Sequence, residues 1–401
     1  MLAELFLNPT NDPAAPYPQS LMAIQSIAAH ATAKAEISAW PGFAPTPLRD
    51  LKTLAAENGL GAIWYKDEGG RFGLGSFKAL GGAYAVMRQL QHAVAAALGK
   101  SVQDIAPADL LAGRYRDIVA TVTVTCATDG NHGRSVAWGA SLFGCACVIY
   151  IHALVSAGRE AAIAAYGARM VRTAGNYDDS VRQAQQDAAT QGWIVISDTS
   201  YTGYRDIPRD VMQGYSVMAA EALAQAPQLP THVFVQGGVG GLAAAMLAYL
   251  WETLGPARPR FIVVEPDKAD CLYRSARAGQ PVVVEGALDT IMAGLACGEV
   301  SLIAWDILST GADAFMTVSD AAAADLMRRL ARPDTAVVAG ESAVAGLAGA
   351  LAARQQPDMA AALKLDAASR ILAFGSEGAT DPAVYEQIVG LKPQDILKGQ
   401  G

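Results

Sequence analysis

Residues 231–254, THVFVQGGVGGLAAAMLAYLWETL, fall into three parts. The apolar, β-branched run THVFV reads as a buried strand, and the stretch from Leu242 to Leu254 reads as a helix. Between them stand Gln236 and the glycines Gly237, Gly238, Gly240 and Gly241, with Val239 among them. A tight turn with close helix packing explains one or two glycines, but not this many. Strand, glycine turn and helix together make a phosphate cradle. Without side chains in the way, backbone N–H groups can approach an anion at the positive end of the helix.

The same rhythm runs outward in both directions. AIWYKD (62–67), IVATVTV (118–124), CVIYIH (147–152), WIVISD (193–198), RFIVVEP (260–266) and RILAFG (370–375) read as strands, separated by alanine-rich helical stretches. This is the pattern of an α/β protein with an open, mostly parallel sheet covered by helices. Three of the strands run into glycine-rich or polar turns: DGNHG (129–133), QGGVGG (236–241) and GSEGATD (375–381). Ligands of such sheets bind beyond the carboxyl ends of the strands, so function is expected at these turns. No Pro/Ser-rich linker or fixed-period repeat marks a boundary, so a second lobe would be nested in the first.

The glycine loop alone leaves two ligands open. Gly238-x-Gly240-x-x-Ala243 matches the dinucleotide fingerprint, and Glu265 ends the next strand at about the distance of a ribose-binding acid. An NAD-dependent dehydrogenase is one reading of the loop and a monophosphate site is the other. The other turns must decide.

Lys78 ends the stretch Gly73-Leu74-Gly75-Ser76-Phe77-Lys78 and precedes a helical run. Most lysines are simply solvent-exposed. A helix start, however, disfavours an ammonium and depresses its pKa, and the neutral amine is the form that Schiff-base chemistry needs. Thr128-Asp129-Gly130-Asn131-His132-Gly133 supplies a second ring of backbone donors. It suits either a carboxylate clamp or an Asx-rich helix cap. Taken alone, His132 reads as a structural histidine, and Asp198, after WIVIS, as a cap.

Composition narrows the class. The 401 residues are 52% hydrophobic and 17% charged, enough for one large core or two lobes. A net charge of -8 and the absence of a basic stripe argue against a nucleic-acid partner. The opening MLAELFLNPTNDPAAPYP lacks the basic and long apolar regions of a signal peptide, and charges, prolines or glycine turns interrupt the longer apolar stretches. A cytoplasmic protein without a membrane span is therefore expected. The five cysteines, Cys126, Cys145, Cys147, Cys271 and Cys297, form no CxxC pair and are expected to be buried free thiols, with no metal site.

The motifs also carry a resemblance. SFK, DGNHG and GGVGG occur in the order used by the fold-type II pyridoxal-phosphate enzymes, which include threonine and serine dehydratases, threonine synthase and the tryptophan synthase β-subunit. The segments at 66–85 (KDEGGRFGLGSFKALGGAYA), 127–140 (ATDGNHGRSVAWGA), 175–184 (GNYDDSVRQA), 197–215 (SDTSYTGYRDIPRDVMQGY), 263–275 (VVEPDKADCLYRS), 290–299 (TIMAGLACGE) and 340–347 (GESAVAGL) resemble the diaminopropionate ammonia-lyases in particular. General dehydratases place a serine where this chain has Asp129. Asp198 in SDTSYTGY also matches the ammonia-lyases.

This resemblance implies an architecture and a chemistry. Two open, mostly parallel twisted sheets would be covered by helices, with pyridoxal 5'-phosphate in the cleft between lobes. A small lobe from Ala85 to Thr199 would be nested in a large one made of residues 1–84 and 200–401. The implied reaction is α,β-elimination of D- or L-2,3-diaminopropionate through an external aldimine and an aminoacrylate, giving pyruvate and two ammonia. Lys78 would hold the cofactor as a Schiff base and take the α-proton of the L-substrate, Asp129 would take that of the D-substrate, and Asp198 would hold or protonate the leaving β-amine. Phe77 would pack beside the cofactor ring, Asn131 would bond its phenolic oxygen, and Gly237, Gly238, Val239, Gly240 and Gly241 would hold its phosphate. The backbone of Thr128, Asp129, Gly130 and Asn131 would grip the substrate carboxylate. Related enzymes usually carry a serine followed by threonine or glycine where this chain has Gly375 then Ser376, and Ser376 is the chosen partner of the pyridine nitrogen. The resemblance also implies a homodimer acting on a small amino acid. The alternative within the fold is a serine or threonine dehydratase.

Overall fold

A computed structural model describes residues 3–128 and 130–398 of the chain. Its strands are β1 (Ala3–Leu7), β2 (Leu48–Asp50), β3 (Ala62–Asp67), β4 (Thr123–Ala127), β5 (Ala146–Ile151), β6 (Arg169–Arg172), β7 (Ile194–Val195), β8 (His232–Gln236), β9 (Arg260–Pro266), β10 (Ala314–Val318) and β11 (Arg370–Gly375). They form two sheets: seven strands in the order β1-β10-β9-β8-β11-β3-β2, and four in the order β6-β5-β4-β7. Every neighbouring pair is parallel except at the two edges of the large sheet, where β1 runs antiparallel to β10 and β2 to β3. This is the α/β class that the strand–helix rhythm predicts, because parallel neighbours need a crossover helix between them.

Packing divides the chain into two compact units. One comprises Met1–Ile27, Pro45–Ser76 and Met218–Gly401, and the other Ala28–Ala44 and Phe77–Val217. The unit boundary thus lies at Phe77 rather than at Ala85. The helix Ala79–Leu98 packs along Asn131–Phe143, which itself lies on β4 and β5. The two helices meet through small residues: a Cβ on Gly139 would stand 2.7 Å from the Ala83 Cα. The smaller unit also runs past Thr199 to Val217, since Tyr215 and Val211 press on the Cα of Gly81, where a Cβ would meet them at 2.4 and 2.7 Å.

In the larger unit the helix Ala345–Gln355 lies on β8, β9 and β10. Gly346 and Gly349 let it come close, and Phe234, Ile262, Val264, Met316, Ile371 and Leu347 are all buried in the resulting core. Two strand boundaries differ from the sequence reading. In IVATVTV, Ile118 and Val119 belong to a helical turn, both donating their N–H to the Tyr115 carbonyl, and the strand begins only at Thr123. Burial of Val119 (2% exposed) creates an apolar run that periodicity cannot assign to helix or strand. Of WIVISD only Ile194–Val195 pairs with β4, at the sheet edge. No described helix is long and apolar enough to cross a membrane.

Candidate active site

The smaller unit gathers one set of polar groups around Lys78. The chain reaches this residue through a stretch in which Gly73 and Gly75 have φ of +71° and +79°, and it turns helical from Ala79. The Lys78 Nζ lies 2.5 Å from the Asp198 Oδ2, with both side chains 21% exposed. It also sits 5.4 Å from the centre of the Phe77 ring and 5.8 Å from that of Tyr215. Those two rings pack on each other at 4.6 Å. Phe77 is thus buried against Tyr215, beside the amine. The helix start favours a neutral amine, but the long side chain carries Nζ to a carboxylate. The amine is therefore one partner of an ion pair rather than an isolated base.

Asp198 is held on the turn after β7 by two residues. The Tyr204 hydroxyl donates to the Val195 carbonyl at 2.8 Å and accepts the Ser197 N–H at 3.0 Å, closing the turn. His132 approaches from the helix Asn131–Phe143. Its Nε2 is 2.8 Å from the Ile196 carbonyl, so this nitrogen carries the hydrogen, while Nδ1 stands 3.7 Å from Asp198 Oδ2. Burial by itself would raise the Asp198 carboxyl. The Lys78 ammonium and His132 overcome that effect and hold it well below the usual carboxylate range.

The TDGNHG turn is tied down from within. Asp129 lies outside the described residues. The Thr128 N–H donates to the Tyr150 carbonyl, and its hydroxyl accepts the N–H groups of Gly130 and Gly133, each at 3.1 Å. The backbone donors of Thr128 and Gly130 are therefore engaged in shaping the turn. Asn131 opens the following helix and is half-buried.

In the larger unit, β8 ends at Gln236 and the glycine loop leads into the helix Gly241–Leu254. A Cβ on Gly237 would lie 2.7 Å from Leu272 and 2.8 Å from Val263, and Gly240 has a φ of +99°. Among the described residues, the N–H groups of Gly238, Val239, Gly240, Gly241 and Leu242 meet no acceptor. These are the unspent donors of a helix N-terminus, and they fit a phosphate group. Glu265 is not part of that cradle. It is fully buried and accepts the N–H groups of Leu272 and Tyr273 at 2.9 and 2.6 Å, capping the helix Cys271–Ala278. Burial pushes its carboxyl well above the usual range. A ribose-binding acid must be reachable and charged, so the dinucleotide reading fails on this residue.

Ser376 follows β11, which neighbours β8, and its Oγ accepts from Gln236 Nε2 at 2.6 Å. Gly375 has a physical reason: a Cβ there would sit 2.2 Å from the Tyr65 ring. Each unit by itself offers groups that suit pyridoxal phosphate. Within the larger unit, unspent backbone donors suit a phosphate and the buried Ser376 hydroxyl suits a ring nitrogen; within the smaller unit, Lys78 is a primary amine of the kind an aldehyde takes.

Sequence reading gave no role to Tyr204, Tyr215 and Gln236, which carry no charge, although all three lie in quoted segments. It also passed over a buried ion cluster at the base of the lysine-bearing stretch. Arg71 makes paired bonds of 2.7 to 2.9 Å to both Glu68 and Glu221, and Lys66 Nζ lies 2.7 Å from Glu221. Four charged residues within and just after β3, in KDEGGR (66–71), were the available signal.

The chain as a whole is similar to known proteins. The model of the family described as "Pyridoxal-phosphate dependent enzyme" matches residues 39–373. The diaminopropionate ammonia-lyase of Salmonella typhimurium is 41% identical over 362 residues, 87% of this chain and 89% of that one. The crystal structure of the Escherichia coli diaminopropionate ammonia lyase, in complex with an aminoacrylate-PLP azomethine reaction intermediate, superposes with a TM-score of 0.84 at 36% identity over 96% of each chain. A probable D-serine dehydratase of Acidovorax ebreus is more distant, at 28% identity over 78% of this chain and 72% of its own. On these matches the chain belongs to the pyridoxal-phosphate dependent enzymes, in the family of the diaminopropionate ammonia-lyases.

Proposed function

We propose that this chain eliminates ammonia from 2,3-diaminopropionate, consuming water and yielding pyruvate and two ammonia in all. The carboxylate of Asp198, 2.5 Å from the Lys78 amine, is the observation that carries this reading. A diamino acid brings one more cation than serine or threonine, and an anion beside the reacting amine is what recognises it.

Bound pyridoxal phosphate supplies the electron sink that makes loss of the α-proton feasible. The glycine loop would hold its phosphate, Phe77 would pack beside its ring, Asn131 would bond its phenolic oxygen and Ser376 would meet its ring nitrogen. With the Lys78 amine committed to the cofactor, the Asp198 carboxylate would be left to pair with the substrate's β-ammonium. A β-amine leaves as ammonia only if it departs protonated, and the carboxylate keeps it so. Lys78 would take the α-proton of the L-substrate at Nζ, and Asp129 would take that of the D-substrate. The substrate carboxylate is held around Asp129 and Asn131. We further infer a cytoplasmic homodimer, which would run at twice the 41.7 kDa chain mass in light scattering.

Pyruvate and ammonia released from D- and L-diaminopropionate, serine and threonine test the reading. Two ammonia per pyruvate, with diaminopropionate the preferred substrate, is the expected result. A preference for serine with a single ammonia would make the enzyme a dehydratase. Asp129→Asn is expected to abolish turnover of the D-substrate and spare much of the L-activity. Undiminished D-turnover would overturn the assignment of that base.

A further inference from the structure

Gln236 and Ser376 sit at the carboxyl ends of the neighbouring strands β8 and β11, and they are 1% and 4% exposed. The Gln236 Nε2 lies 2.8 Å from the Phe374 carbonyl and 2.6 Å from Ser376 Oγ. The orientation of this amide is decided by Phe374. Turned over, the amide would set two oxygens against each other at 2.8 Å, so the NH2 end faces both neighbours. Each of its hydrogens is spent, one on the carbonyl and one on the hydroxyl. Ser376 Oγ is thereby an acceptor, and among the described residues its own hydrogen meets no acceptor.

A hydroxyl has one hydrogen, and in a buried place that hydrogen must be given to something. A ring nitrogen with a free lone pair can take it. A protonated ring nitrogen would point a second donor at the same oxygen and leave the hydroxyl hydrogen stranded. Accepting from Gln236 also polarises the O–H and makes it a stronger donor.

We propose that Gln236 is a positioning residue that commits the Ser376 hydroxyl to donate to the cofactor's pyridine nitrogen, keeping that nitrogen unprotonated. The proposal rests on the reading that pyridoxal phosphate binds with its ring at Ser376. A neutral ring withdraws electrons less strongly, so the α-carbanion is short-lived and departure of the β-amine is favoured over other fates.

The test is the nitrogen-15 chemical shift of ring-labelled pyridoxal phosphate in the holoenzyme, with the cofactor dissociation constant measured alongside. Wild type is expected to show the shift of an unprotonated, hydrogen-bonded pyridine. Gln236→Glu replaces the donor with an acceptor that draws off the Ser376 hydrogen. It should move the shift toward the protonated value and weaken cofactor binding about tenfold, the size of one buried hydrogen bond. Gln236→Met, which keeps the volume and removes the amide, should give a pH-dependent mixture of both forms. A protonated ring in wild type, or a Gln236→Glu shift equal to wild type, overturns the proposal. Ser376→Ala separates the two levels. If it leaves the wild-type shift unchanged, Ser376 does not touch the ring, and the reading of the ring site fails before the role of Gln236 is reached.

Discussion

The amine of Lys78 and the carboxylate of Asp198 come from positions 120 residues apart, yet they form one ion pair. Neither side chain is unusual alone. Their proximity lowers the Asp198 carboxyl despite its burial, and His132, fixed by its bond to Ile196, adds to the effect. Asp198→Asn keeps the shape and one acceptor but removes the charge that we propose holds a β-ammonium. It is expected to lower kcat on diaminopropionate by about a hundredfold while leaving cofactor affinity within about twofold. Steady-state kinetics and cofactor titration on the same protein check this, and an unchanged kcat would remove Asp198 from the chemistry. Lys78 was legible as a candidate from its place at a helix start, whereas the two aspartates became candidates only through the family resemblance, since Asp198 taken alone reads as a cap. Tyr204 was not legible, since its role depends on folding back to bridge Val195 and Ser197.

Helix packing around the lysine depends on glycines that a propensity reading counts only as a cost. A Cβ on Gly214, in the helix Asp206–Gln225, would lie 1.9 Å from the Leu80 carbonyl oxygen, and backbone cannot rotate away. Gly214→Ala should therefore destabilise the protein by about 3 kcal/mol or more, seen as a lower Tm, because the helix start at Lys78 must shift. Gly82→Ala is a control on the other side of the lysine-bearing helix, where it meets the helix Asn131–Phe143. Its nearest obstacle, also at 1.9 Å, is the Ser135 hydroxyl, which can swing aside, so its loss should be the smaller of the two. Equal losses would show that the steric argument misplaces the contact. Seven of the eleven strands were readable from apolar runs, whereas β1, β2, β6 and β10 were not. The short helix Arg116–Val119 was not, because a buried apolar pair looks the same in either conformation.

For the molecule as a whole, stability should carry the mark of Asp210, 4% exposed on the helix Asp206–Gln225. Burial pushes its carboxyl up from 3.8 to about 6, with Asp206 and Glu36 adding to the rise and Arg88 and Arg209 opposing it. A carboxyl raised on folding binds more protons in the folded state than in the unfolded one across that window. Its contribution to stability therefore falls as pH rises from about 4 to about 6. Asp210→Asn should raise Tm at about pH 8, by no more than the equivalent of about 3 kcal/mol, and change it little at about pH 4. A gain at low pH instead would reverse the sign. The α/β class, the glycine-rich turns at strand ends and Lys78 as a candidate Schiff-base lysine follow from the sequence alone, because periodicity, glycine clusters and motif order are local in the chain. Only the tertiary structure decided that Glu265 caps a helix, that Gly375 yields to Tyr65, and that the Lys78 amine meets a carboxylate. It also decided that Gln236 orients Ser376. Each of these depends on atoms brought together from distant parts of the chain, and no local pattern records where a side chain finds its partner.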